Sequence, residues 1–282
     1  MESIYVPDTI LVALDGSPSA QVAASVAVEI AQRQNLRIRG LYVVDDTLVL
    51  NMYANYQAEL GSTREITSEA DLVQLFREQG DATLQWLEQR CRTANVPVVT
   101  DLYFSGVPEM IRRAAEQARL VALGRRGHGH ATDPNHLGRY FRAMAHHAQW
   151  PMLVGGDELR PLRRLILAYN GGECAQRALN WAALLQRAST TEVVALAVEE
   201  NDHGSQQWLS DMQAQLDASS LTQYQFVSRK GHAATEIVSA AEEYQADLIL
   251  MGNYCVTPLL EWLAGSTPDH VLRRTQLPVL IA

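Results

Sequence analysis

The 282 residues are 47% apolar, enough for two cores of ordinary size, and carry a formal charge of −9, so the surface field repels nucleic acid and anionic membrane. The start, Met1-Glu2-Ser3-Ile4-Tyr5, does not read as a signal peptide, and the longest apolar runs are strand-sized, too short to span a bilayer. Three scattered cysteines (Cys91, Cys174, Cys255) with no CxxC pair argue against a disulfide framework and for a reducing, cytoplasmic location, each thiol acting as a small buried hydrophobe.

In chain order, Ile10-Leu11-Val12-Ala13-Leu14 reads as a buried strand closed by Asp15-Gly16-Ser17. An Ala-rich helical stretch follows over 20–33, then a second strand, Gly40-Leu41-Tyr42-Val43-Val44-Asp45. An insertion near 46–70, with Asn51, Tyr53, Tyr56 and Gly61, reads as a helix-and-loop arm leading into a helix over about 68–94. Leu120-Val121-Ala122-Leu123-Gly124 is the fourth strand, continued by the loop Gly124-Arg125-Arg126-Gly127. A helix start at Gly138-Arg139 and a last strand, Pro151-Met152-Leu153-Val154, complete the set.

The pattern then begins again. Leu165-Ile166-Leu167-Ala168-Tyr169 ends on Asn170-Gly171-Gly172, and a helix over 175–187 follows. Next come Ala195-Leu196-Ala197-Val198-Glu199, a helix near 205–216, Leu248-Ile249-Leu250-Met251-Gly252, Gly265-Ser266-Thr267 and Pro278-Val279-Leu280-Ile281. The interval from Gly138 to Pro151 equals that from Gly265 to Pro278, so the halves are copies. The boundary falls in the polar stretch Gly155-Gly156-Asp157-Glu158-Leu159-Arg160-Pro161, giving domains 1–158 and 159–282. Alternating strands and helices place each copy in the α/β class, as a mostly parallel, doubly wound sheet.

In such sheets ligands bind beyond the strand C-termini where the strand order reverses. Asp15 would face the Gly124–Gly127 loop there, with the helix starting at Gly138-Arg139 adding its positive end. Arg125, Arg126, Arg139 and Arg142 form a local basic cluster that reads either as phosphate-neutralising or as a solvated loop. His128, His130, His136, His146 and His147 fall in this loop and the next helix; His128-Gly129-His130 with Asp133 offers imidazole and carboxylate suited to zinc or nickel, but no second ligand pair recurs at helix spacing and no metal site is assigned.

Asp15-Gly16-Ser17-Pro18-Ser19, Val43-Val44-Asp45 and the pattern Gly-x2-Gly, spacer, Gly-Ser/Thr resemble the universal stress protein family, once per half. The resemblance implies two five-stranded domains that pair their last strands as an intramolecular pseudo-dimer, with a homodimer of chains left open. It also implies a stress-response regulator that binds ATP or a related adenine nucleotide, with or without Mg. By position, the implied nucleotide contacts in the first half are Asp15, Val43, Gly124, Gly127 and Gly138, to which the phosphate-neutralising reading of the loop charge adds Arg125, Arg126 and Arg139. In the second half they are Val198, Gly252, Gly265, Ser266 and Thr267. The first half has a spacer of ten residues where the family has nine, and Arg139 stands where the family has Ser/Thr, either gripping a phosphate or filling its place. The second half has Asn170 for the aspartate and Cys255 for the second loop glycine, a change costly in any left-handed backbone. A non-nucleotide interaction protein with degenerate pockets is the alternative. No general base and no Walker-type lysine stand at a motif position, so enzymatic activity is at most slow ATP hydrolysis.

Overall fold

A computed structural model of the chain describes residues 7–45, 69–127, 137–146, 150–187, 189–200, 206–252 and 266–282. The first half runs β1 (Thr9–Leu14), α1 (Pro18–Gln34), β2 (Arg37–Val44), α2 (Glu69–Thr93), β3 (Val98–Phe104), α3 (Val107–Ala115), β4 (Leu120–Gly124), α4 (Arg139–His146) and β5 (Met152–Gly155). The second runs β6 (Arg164–Ala168), α5 (Glu173–Arg187), β7 (Glu192–Glu199), α6 (Gln206–Asp217), β8 (Tyr224–Lys230), α7 (Ala233–Glu243), β9 (Leu248–Met251), α8 (Thr267–Arg274) and β10 (Val279–Ile281). The arm expected near 46–70 lies almost wholly outside the described residues.

All ten strands share one sheet in the order β3-β2-β1-β4-β5-β10-β9-β6-β7-β8. Every neighbouring pair is parallel except β5 and β10, which run antiparallel with Leu153 opposite Leu280. The expected pseudo-dimer is therefore present: the two apolar terminal strands cover each other's free edge. Along β1, Ile10, Val12 and Leu14 face one helical layer and Leu11 and Ala13 the other. A strand covered on both faces has no polar side, hence its unbroken apolar run. Both apolar layers run through the two halves.

Local chemistry sets the joints between strand and helix. Gly16 and Gly171 occupy matching left-handed positions, each with φ of 78°, directly after β1 and before α5. Ser17 caps α1 by accepting from the Ala20 N–H, with Pro18 in the first turn, and Asn35 closes the helix in the left-handed region. The alanine-rich face of α1 lies so close to the sheet that a Cβ on Gly155 would stand 1.8 Å from the Ser19 carbonyl oxygen. Gly155→Ala is expected to destabilise the fold by about 2–3 kcal/mol, read as a lower denaturation midpoint at unchanged slope.

The seam between the halves is polar as well as apolar. At the end of α1, Arg33 donates to the hydroxyls of Ser189 and Thr191, to Glu29 and to the Leu162 carbonyl, while Gln34 donates to Leu184. The backbone N–H groups of Asp157 and Glu158 both donate to the Gln276 carbonyl. Cys91 is a buried free thiol, pushed up to about 11 by burial. Cys174 is disulfide-bonded, which corrects the expectation of three isolated thiols; Cys255 lies outside the described residues. Spacing along the chain does not report which positions folding brings together. No described helix is long and apolar enough to cross a membrane.

Candidate functional site: two switch-point crevices

In each half the chain leaves the first strand towards one side of the sheet and returns to its other side, so strand order reverses between β1 and β4 and between β6 and β9. A crevice opens beyond the C-terminal ends of those strands.

In the first crevice the structure brings Asp15, Gly124, Gly127 and Gly138 together. Asp15 Oδ1 accepts from the Ser17 N–H at 2.9 Å, and a Cβ on Gly127 would stand 3.4 Å from Asp15 Oδ2. The Gly138 N–H donates to the Arg125 carbonyl at 2.8 Å, which ties the glycine loop to the start of α4. Gly124 has no room for a side chain, since a Cβ would lie 2.8 Å from the Ala20 nitrogen. Val43 is half-buried near the end of β2, and its neighbour Tyr42 is raised above the usual phenol range by burial and then by Asp15. Gly127 is not left-handed, and its counterpart Cys255 lies outside the described residues.

The arginines do not act as the loop pattern suggests. Arg125 is 1% exposed, and its guanidinium donates to the carbonyls of Gly155 (3.0 Å), Leu272 (2.6 Å), Thr275 (2.5 Å) and Leu277 (3.3 Å). Burial pulls its pKa down to about 10, so it stays cationic at neutral pH. Arg126 is also buried and pairs with Asp157. Phosphate neutralisation by these two side chains is therefore replaced by a structural role: their charge is directed at the seam, because carbonyls left over at the end of α8 need donors. Their backbone remains part of the loop. Arg142 is exposed on α4.

Arg139 spans the mouth of the first crevice. It donates to Asp45 at 2.7 Å and lies 4.5 Å over the Tyr140 ring, while the Tyr140 hydroxyl also donates to Asp45. Burial and the Asp45 hydrogen bond push the Tyr140 phenol up to about 12, keeping it a neutral donor. This bridge joins the end of β2 to the start of α4, where the sequence left two roles open for Arg139. Asp45 ends a strand run in the sequence; its partnership with Arg139 across 94 positions has no sequence signal.

The second crevice encloses a cavity of about 280 Å³. Asn170, Val198, Glu200, Gly252 and Thr267 line it, and Cys174 and Ala175 close it from the first turn of α5. Asn170 Oδ1 accepts from the Gly172 N–H, as Asp15 does in its own turn. Ser266 caps α8 by accepting from the Asp269 N–H, and Glu200 Oε1 accepts from the Ala233 N–H at 2.8 Å. Gly252 abuts α5 as Gly124 abuts α1, with 2.5 Å from a built Cβ to the Cys174 carbonyl carbon. Gly265 lies outside the described residues, as do His128, His130, His136, His147 and Asp133; among the described residues no group of three metal-ligating side chains forms. Glu200 is the site residue that motif reading passes over, since a strand-end Glu-Glu pair looks like ordinary surface.

Comparison with known proteins follows the same division. The universal stress protein family model matches residues 7–154 and again 161–282. The chain is 24% identical to the universal stress protein Slr1230 of Synechocystis, over 96% of this chain and 98% of that protein. Among solved structures it resembles a universal stress protein from Archaeoglobus fulgidus (TM-score 0.74, 20% identity, 99% of each chain). It also resembles a protein described as a universal stress protein from Pseudomonas aeruginosa (TM-score 0.65, 16% identity, 98% of this chain and 92% of that one). At these identities the solved structures show a shared fold. With both halves matched by the family model and the strand order repeated, the chain belongs to the universal stress protein family as a tandem member.

Proposed function

We propose that the protein is a stress-response regulator that binds ATP or a related adenine nucleotide at the switch-point crevice of one or both halves. The observation that carries this reading is the 280 Å³ cavity at the β6/β9 switch point, walled by strand ends and three helix starts. That volume sits at the lower limit of small-molecule pockets, roughly 300–1,000 Å³, and suits the nucleoside part of a nucleotide. The first crevice repeats the strand ends, the turn glycine and the strand-end glycine. Magnesium would accompany a triphosphate through its own phosphate oxygens.

The direct test is mass spectrometry of protein purified without added ligand; retained adenine nucleotide supports the reading, and absence of binding by calorimetry sinks it. Asp15→Ala is expected to weaken binding at the first crevice by more than about tenfold, the effect of losing one polar contact that a bound ligand would cover, Asp15 itself being exposed in the free protein. Unchanged affinity would move the site elsewhere. The second reading, a non-nucleotide interaction protein with degenerate pockets, is favoured by one observation: Arg139 and Tyr140 at the start of α4 are already bonded to Asp45.

A further inference from the structure

We infer that a polar cavity at the end of the sheet opposite the crevices binds a small phosphorylated sugar or polyol. The cavity measures about 750 Å³ and lies where β6 and β7 begin and where the chain enters β9. It shares no lining residue with the second crevice, and the first half contributes to it through Arg33 at the end of α1. Four arginines line it, Arg33, Arg160, Arg163 and Arg164, in a chain whose net charge is −9. Ser189, Thr190, Thr191 and Gln245 add hydroxyl and amide groups, and Leu162 is the one apolar side chain among the described lining residues. Such a wall suits a hydroxylated body, and the volume falls in the range of small-molecule pockets, far above the need of a bare phosphate.

Three of the arginines are held by the fold. Arg33 is fixed by its four partners at the seam, Arg164 pairs with Glu192 and donates to the Tyr244 carbonyl, and Arg160 pairs with Glu158 and donates to the Ala246 carbonyl. Arg163 differs. Its backbone N–H donates to Asp247 Oδ2 at 2.8 Å, and the same oxygen accepts from the Arg164 N–H at 2.9 Å, which fixes the start of β6. Its guanidinium is exposed and makes no hydrogen bond or ion pair among the described residues. Glu29, Glu158 and Glu192 each engage another arginine, and the buried Asp247 is engaged by the two N–H groups, so Arg163 is the cation left for a ligand. The repeat shows that the backbone does not require it. Arg37 N–H donates to the Asp8 carbonyl and Arg119 N–H to that of Thr9, as Glu192 does to Arg163 and Asp247 to Arg164. The first half thus has Asp8 where Arg163 stands, and Asp8 pairs with Arg37. Arginines already fixed in place lose little freedom on binding, and a guanidinium binds phosphate through charge-assisted hydrogen bonds.

The test is calorimetric titration of the full chain at low salt with fructose 1,6-bisphosphate, inorganic pyrophosphate and fructose. The bisphosphate should bind, pyrophosphate should bind more weakly because it leaves the hydroxyl wall unused, and fructose should not bind. Arg163→Ala should weaken the bisphosphate by about fivefold or more and Arg163→Glu by about twentyfold or more, and added salt should lower the affinity of the unaltered protein. Because the Arg163 side chain is exposed and holds no other group, both variants should keep the melting temperature of the parent chain. Amide NMR shifts at Thr190 and Gln245 during the titration place the ligand in this cavity. Unchanged affinity in Arg163→Glu, or no saturable binding of either phosphate compound, would overturn the inference. Pyrophosphate binding tighter than the bisphosphate would overturn the sugar or polyol assignment.

Discussion

Arg125→Met should lower the stability of the whole chain by about 3–5 kcal/mol, the range seen when a buried charged hydrogen-bonding group is removed from its partners. Methionine keeps the length of the side chain and lacks every donor. Four carbonyls then lose the guanidinium, three of them (Leu272, Thr275 and Leu277) in the other half of the chain. For a protein of this size the melting temperature should fall by roughly 10 °C. Arg125→Lys should be intermediate, since an ammonium has three donors and no planar fork to reach carbonyls on several sides. Calorimetric melting of the three proteins checks the order. A loss below about 1 kcal/mol in the methionine variant would show that other donors or water replace the guanidinium.

Residues 1–158 expressed alone should form dimers or aggregates. In the intact chain Met152, Leu153 and Val154 are fully buried, and β5 gives its outer edge to β10. Cutting the chain exposes that edge and the apolar surface beneath it at once. An unpaired strand of this composition pairs with whatever strand is available. Light scattering on the purified half reads the outcome directly. A soluble monomer would mean that the edge is protected within the half, and the β5–β10 pairing would lose its role as the reason for the tandem arrangement.

The sequence by itself determined the repeat and the strands of the sheet centre. Strands such as Ile10–Leu14 and Leu248–Met251 are buried on both faces, so their apolar runs survive any reading. Gly16 and Gly171 were legible as turn residues because left-handed backbone demands them. The edge strands β3 and β8 were not read as strands: Val98–Phe104 and Tyr224–Lys230 mix Thr, Asp, Ser, Arg and Lys with apolar residues, because an edge is half solvated. Of the candidate site, Val198 and Gly252 line the second cavity and Asp15 lies against Gly127 at the first switch point, since a strand fixes where the residues at its end stand. The charges did not follow. Arg125 and Arg126 look identical in sequence to phosphate ligands, and only the seam, with bare carbonyls at the end of α8, decided that they face inwards. Arg139 and Asp45 met across the first mouth, and Glu200 settled on the start of α7, by the same kind of long-range contact. Backbone geometry is written locally and so could be read from short motifs. The partner of a long charged side chain is chosen among groups brought close only by folding, and tertiary structure alone decided it.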